Sequence, residues 1–448
     1  MRQAQRFYQG WKSPRILLLA VIGSVSTLLY LQDFTMATYL WVFLPLFGLY
    51  GLALGLVFRK PFEASATCLA LIVAFAVVFR LLVLASPLVL SSDLYRYVWD
   101  GRVQRAGINP YRYPPEAEAL AALRDPDIYP HIHRPALITI YPPVAQMLFA
   151  LITAVVPDSI HGMKAAMVLF DLATMGLLIR LLKTTGHPPE HVVLYAWSPL
   201  VVFEFAGSGH VDVLMVPFVL LALQARLTHR PGLAGAMLGL ATLIKLYPVV
   251  LFPALYTRQE RHFPLSFGVT LVLGYLPYVL SVGTQVLGYL PGYLGPWEDF
   301  NGGLRPWFII ALTPLTTAAR SLASAFCIAL FLGVGYMVSC HHGTDWIRRA
   351  THMISSFLLL VPTTFHPWYV IWLLPCLCFT LSWGWLYLSG AIVLSYIAYT
   401  LDYPSVPLGI QLLEFLPLYL LLLAQMVWQR WQAPCAAPAT AVCLEQAK

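Results

Sequence analysis

Residues 66–102 read ATCLALIVAFAVVFRLLVLASPLVLSSDLYRYVWDGR. About 20 apolar residues cross a bilayer, and the run 66–87 supplies them before the chain turns polar at Ser91. Read as a helix capped by Ser91 or Ser92, the polar part places Asp93, Tyr97 and Asp100 at i, i+4 and i+7. Two carboxylates then share a face, with Arg96 and Trp99 beside it. Gly101, Gly107 and Asn109-Pro110 break the helix and turn the chain. A carboxylate face just outside a membrane serves as a general base or a cation site. An interfacial helix with solvated charges is the alternative.

The rest of the chain agrees with a membrane setting. It is 59% hydrophobic and 10% charged over 448 residues, against roughly 25% charged in soluble domains. The class is an all-α polytopic membrane protein. Further candidate spans are 16–31, 37–58, 161–183, 191–207, 211–228, 263–282, 321–340, 350–362, 368–383, 385–401 and 408–428. Residues 1–431 read as one transmembrane domain, and the Ala/Pro-rich stretch 432–448 as a disordered cytoplasmic tail. The net charge of +7 fits basic cytoplasmic edges, and no basic block or aromatic-basic platform points to nucleic acid. Cysteines 68, 327, 340, 376, 378, 435 and 443 lack metal-type spacing and read as packing residues.

Basic clusters set the sense of the chain. Arg2, Arg6, Lys12 and Arg15 precede the first apolar run, which reads as an uncleaved signal anchor. Arg59-Lys60, Arg180/Lys183, Arg226/Arg230, Arg258/Arg261, Arg348-Arg349 and Arg430 fall on the same side if 141–157 does not cross. That stretch is therefore expected to be an interfacial or re-entrant helix, within a long outer loop spanning 88–160. The stretch 232–257 is expected to form two half-helices meeting near Lys245-Leu246-Tyr247-Pro248. Six Arg in 88–140 (96, 102, 105, 112, 124 and 134) run against the positive-inside count.

On this topology the polar residues gather at the outer face. Asp93 and Asp100 join Gly207-Ser208-Gly209-His210-Val211-Asp212, with Glu204 just below. Trp297-Glu298-Asp299-Phe300-Asn301 and Thr364-Phe365-His366-Pro367-Trp368-Tyr369 complete the set. Each has a plain structural alternative: belt residues, helix caps, solvated charges or, for Asp171 in mid-span, a helix-packing partner. Lys245 within the membrane zone is costly unless paired, and a lipid phosphate is a fitting partner.

The run Asp93-x-Tyr95-x-Tyr97…Gly107-x-Asn109-Pro110-Tyr111…Ile140-Tyr141-Pro142-Pro143 resembles the first outer loop of glycosyltransferase family 87 and related polyprenyl-phosphate-mannose-dependent mannosyltransferases. Gly209-His210-Val211-Asp212, Lys245-Leu246-Tyr247-Pro248 and His366-Pro367-Trp368-Tyr369 recur there in similar order, so the likeness covers 88–375. The resemblance implies the C-type glycosyltransferase helical bundle, here about 12–14 membrane segments. It implies a site facing the periplasm from the inner membrane, with Asp93 as the base. Tyr97, Asp100, Arg102, Asn109, His210, Asp212, Lys245, Tyr247, Asn301, His366 and Trp368 are the expected substrate contacts. His210-x-Asp212 replaces the paired acids of metal-using relatives, so no cofactor is expected. The implied partners are a polyprenyl-phosphate-linked hexose, most often mannose, a glycan or lipid acceptor, and membrane lipids. The implied reaction is inverting transfer to that acceptor. A transporter or flippase of a lipid-linked or anionic substrate, or a membrane scaffold, is the alternative from another class.

Overall fold

The computed structural model describes residues 13–59, 65–293, 300–340, 343 and 345–432. Arg2, Arg6, Lys12, Lys60, Trp297, Glu298, Asp299, Cys435, Cys443 and all of the expected tail but its first residue lie outside the described residues. Among those described there is no β-strand, only a single bridge between Asn301 and Thr364. The longer helices are α1 (Pro14–Tyr30), α2 (Tyr39–Phe58), α3 (Ala66–Ala85), α4 (Asp93–Arg105), α5 (Pro143–Val155), α6 (Ile160–Thr184) and α7 (Asp212–Leu227). They continue with α8 (Pro231–Ile244), α9 (His262–Val282), α10 (Arg305–Leu312), α11 (Ala319–Cys340), α12 (Trp346–Leu360), α13 (Trp383–Ala391) and α14 (Leu408–Gln432). The all-α polytopic class read from the sequence is the class observed.

The spans are less regular than hydropathy suggests. Six described helices are long and apolar enough to cross a membrane: Tyr39–Phe58, Ala66–Ala85, Ile160–Thr184, His262–Gly292, Ala319–Cys340 and Leu408–Gln429. The candidate 191–207 is instead a chain of short pieces that ends in a π-helical turn, Val202–Gly207, and bends by 119° into α7. The candidate 368–383 is likewise divided, into a tight turn Pro367–Trp372 and a short helix Leu374–Leu377 that Pro375 opens. Proline removes a backbone donor and clashes with the preceding turn, so apolar character persists across these breaks while the helix does not. The expectation for 232–257 fits this pattern. α8 stops at Lys245, which is extended (φ −148°, ψ 138°), and two short turns follow.

α5 has 13 residues, about 20 Å at 1.5 Å per residue, too short to cross. It packs on α4 rather than spanning. α8 lies against α9 through Gly235, where an added Cβ would sit 2.2 Å from the Phe263 carbonyl oxygen. Small residues permit that approach where lipid gives no hydrophobic drive to helix pairing.

Four of the six Arg of the outer loop have an internal explanation. Arg96 pairs with Asp100, Arg102 with Asp125 and Asp158, and Arg105 with Asp158. Arg124 donates to the Glu116 and Ala117 carbonyls. These guanidinium groups tie a folded loop together, so they do not report on membrane sidedness.

One buried ion pair joins α3 to α6. Arg80 Nε donates to Asp171 at 2.7 Å, both side chains are 0% exposed, and Tyr195 donates to the same carboxylate. Asp171 is thus a packing partner, the plainer of its two readings. Removing one member of a buried pair costs about 3–5 kcal/mol, whereas replacing both with apolar groups is often near neutral. Asp171→Leu is expected to lower the thermal midpoint of the solubilised protein strongly, and Arg80→Met/Asp171→Leu to recover part of that loss, the Ala196 carbonyl and the Tyr195 hydroxyl being left without these partners. The check is the unfolding midpoint of the single and double variants.

Candidate active site

α4 begins where Ser91 Oγ accepts the Asp93 backbone N–H at 3.2 Å, so Ser91 holds the first turn and Ser92 makes no cap bond. Its polar stripe is divided along its length. Asp93, 35% exposed at its side chain, reaches the wall of a cavity of about 790 Å³, within the range of pockets that hold small ligands. Tyr97 is buried, stacked on Phe149 at 4.6 Å, and accepts the Val211 N–H. Asp100 is buried deeper. It accepts from Arg96 Nε, Thr139 and Gln146 at 2.8, 2.6 and 2.9 Å.

Residues from four separate connections complete the cavity wall. They are Arg96, His133 and Arg134 of the outer loop, Phe300, the stretch Thr363, Thr364, His366 and Trp368, and the pair Tyr396 and Tyr399. Arg134 carries a φ of 54° immediately before Pro135, a left-handed backbone that is sparse for such a residue and gathers at functional sites. Asp93 faces His210, whose Nδ1 lies 3.6 Å from its Oδ2. On the other side His210 Nε2 lies 3.1 Å from Glu204 Oε2, close enough for an ion pair but off the line of a hydrogen bond. Gly209 makes this turn possible with a φ of 67°, and a Cβ there would meet Leu94 at 2.6 Å.

His210 and His366 both lie flat on Trp368, at 3.9 and 4.3 Å between ring centroids. Two rings so close to one indole cannot share a side, so they take opposite faces. Trp368 therefore offers the cavity its edge and no free face for a sugar. Tyr399 and His366 Nδ1 are 3.1 Å apart.

The charges follow from these contacts. Burial alone would raise the Asp93 carboxyl, but the close approach of His210 and the charges of His210 and Lys245 outweigh it and hold it below the ordinary value. Burial would lower His210, which lies in the turn between helices, but Asp93 and Glu204 lift it to about 9. His366 is driven down to about 3 by burial and then by the Lys245 and His210 charges. At neutral pH the site holds an ionised Asp93, a protonated His210 and a neutral His366.

Several expected contacts lie elsewhere. Asp100 serves the buried network just described, and Arg102 the Asp125–Asp158 cluster. Asn109 caps the turn at Tyr111 and donates to the Tyr278 carbonyl. Asn301 is fully buried, donates to Glu414 and pins the backbone of Phe365. Lys245 does not wait for a phosphate. Its Nζ sits 2.8 Å from both Asp212 oxygens, and Trp372 donates to the same carboxylate at 2.6 Å. Tyr247 stacks on Trp372 at 3.7 Å. Of the expected set, Asp93, His366 and Trp368 line the cavity directly, and His210 stands just behind Asp93. The sequence reading did not single out Arg134, His133, Tyr396 and Tyr399. The spacing of Tyr396 and Tyr399 on one helical turn, just before Asp402-Tyr403-Pro404, was the available signal for the last two. Among the described residues no group of three or more His, Cys, Asp or Glu is placed to hold a metal ion.

A family model described as alpha-(1->6)-mannopyranosyltransferase, N-terminal domain, matches residues 16–259, more than half of the 448. The chain belongs to this family. It is an integral-membrane mannosyltransferase, and the transporter and scaffold alternatives carry no comparable support. The match starts at residue 16, so the first two helices, which the motif likeness left out, fall inside the family pattern. It also holds Asp93, Glu204, His210 and Lys245 of the mannosyltransferase, while His366 and Trp368 lie beyond its end. No curated protein matches the chain.

The Asp100 network makes its own prediction for the mannosyltransferase. Asp100→Asn forfeits the ionic link to Arg96 and unbalances Thr139 and Gln146. An unmade buried hydrogen bond costs about 1–3 kcal/mol, so the thermal midpoint is expected to fall clearly. Asp93→Asn, whose partner is reached from an open wall, is expected to leave it nearly unchanged.

Proposed function

We propose that the enzyme transfers mannose from a polyprenyl-phosphate mannose to a hydroxyl of a glycan or lipid acceptor, forming an α-1,6 linkage with inversion. The carrying observation is one cavity lined both by an ionised carboxylate, Asp93, and by the guanidinium groups of Arg96 and Arg134. Asp93 takes the proton of the acceptor hydroxyl as its oxygen attacks the anomeric carbon. The bond from that carbon to the phosphate oxygen breaks, and its electron pair leaves with the polyprenyl phosphate. Arg96 and Arg134 stand where that growing negative charge needs donors. The loop arginines take this role because they line the cavity, Arg96 while also paired with Asp100, whereas Lys245 is held by Asp212 outside its wall.

Metal is not required in this scheme, since Asp212 is held by Lys245 and Trp372 and His210 lies between two carboxylates. The basic edges Arg59, Arg180, Arg226 and Arg348 all precede or follow spans at the end away from Asp93, which supports a periplasmic site in the plasma membrane.

The test is mannosyl transfer by the purified enzyme from polyprenyl-phosphate mannose. Asp93→Asn is expected to cut kcat by about 10²-fold or more while leaving the donor KM close to native, and Arg134→Met to raise that KM. Full activity in folded Asp93→Asn would remove the base. The pH profile has a defined sign. The His210 charge depresses Asp93, so His210→Gln lets its pKa rise, and the acid limb of kcat/KM is expected to move to higher pH.

A further inference from the structure

Behind Asp93 the chain of contacts continues inward. Glu204 is fully buried, 0% exposed, on the π-helical turn Val202–Gly207. An α-helical register would close its bonds four residues on. Here Ser208 N bonds Phe203 O and His210 N bonds Glu204 O instead, which widens the turn. Single π turns recur at functional sites because they re-aim side chains. This one aims Glu204 at His210 Nε2, 3.1 Å away, while Tyr396, which lines the cavity, donates to the other Glu204 oxygen at 2.8 Å. A buried carboxylate with no stabilising task is costly, and nothing in the transfer chemistry itself calls on Glu204.

We infer that Glu204 is a positioning residue that keeps His210 charged and aimed at Asp93, so that the base is held in one place against the cavity. A protonated imidazole attracts both flanking carboxylates as an ion pair, at 3.6 Å from Asp93 and 3.1 Å from Glu204, whereas a neutral one holds neither by charge. Loss of the proton would therefore release Asp93 and Glu204 together. The titratable groups around His210 are Asp93 from α4, Glu204 from the π turn, and the neutral His366 across Trp368. Lys245 and Asp212, themselves paired, complete them. The inference rests on the reading of Asp93 as the base.

The test uses the full-length enzyme in detergent or nanodiscs with labelled histidine. The His210 resonance, assigned by its loss in His210→Gln, is expected to titrate near pH 9 in the native enzyme. In Glu204→Gln it should titrate at least about one unit lower. The kcat of mannosyl transfer should fall about tenfold, its alkaline limb should move down with the titration, and the donor KM should stay near native. Glu204→Asp should recover part of kcat. Should Glu204→Gln not fold, Tyr396→Phe strips a donor from Glu204 and is expected to move the His210 titration upward.

An unmoved titration in either variant, or a moved titration with unchanged kcat and pH limb, overturns the inference and leaves Glu204 as a packing residue. Asp93→Asn, measured alongside, separates the two claims. If it retains transfer, the base assignment fails whatever the His210 titration shows.

Discussion

A backbone inside a bilayer must satisfy its own polar groups, so a helix can break only where protein replaces the missing partners. This constraint shapes the mannosyltransferase more than any single contact. The broken stretch from Val193 to Val211 survives because neighbours serve it. Tyr50 donates to the Leu194 carbonyl, Arg80 to that of Ala196, and Tyr97 accepts the Val211 N–H. Arg349 supplies the Pro253 and Tyr256 carbonyls after the break at Lys245. At the third break, Asn301 and Leu359 accept from Phe365 and Leu304.

These breaks are also where the chemistry collects. His210, Lys245 and His366 each sit at a helix interruption, and the charge of one reaches the next. A protonated His210 beside Asp93 keeps the carboxylate ionised, and Lys245 is satisfied by Asp212. In the proposed transfer the donor phosphate meets Arg96 and Arg134 and the sugar lies between it and Asp93, since attack and departure at the anomeric carbon occur on opposite faces.

Much of this was legible in the sequence, for physical reasons. Twenty-residue apolar runs are unambiguous, and Asp93 at the mouth of α4 follows from polarity that begins abruptly at Ser91. Periodicity misled at Asp100. Residues i and i+7 share a stripe, but a stripe long enough to leave the cavity continues into packed protein, where Thr139 and Gln146 claim the second carboxylate. Lys245 and Asp212 are 33 positions apart, and no local pattern announces their pairing. Arg134, Tyr396 and Tyr399 come from opposite ends of the chain and meet only through tertiary packing. Hydropathy could not see the interruptions in 191–207 and 368–383, because Pro and the residues around it are as apolar as the helices they end.

The most direct measurement is a structure of the enzyme in a lipid nanodisc with a non-transferable polyprenyl-phosphate mannose analogue bound. The account predicts the phosphate within about 4 Å of the Arg96 and Arg134 guanidinium groups, ion-pair range. It also predicts Asp93 on the opposite side of the anomeric carbon. A phosphate held by Lys245, or lying on the same side of the sugar as Asp93, would contradict it.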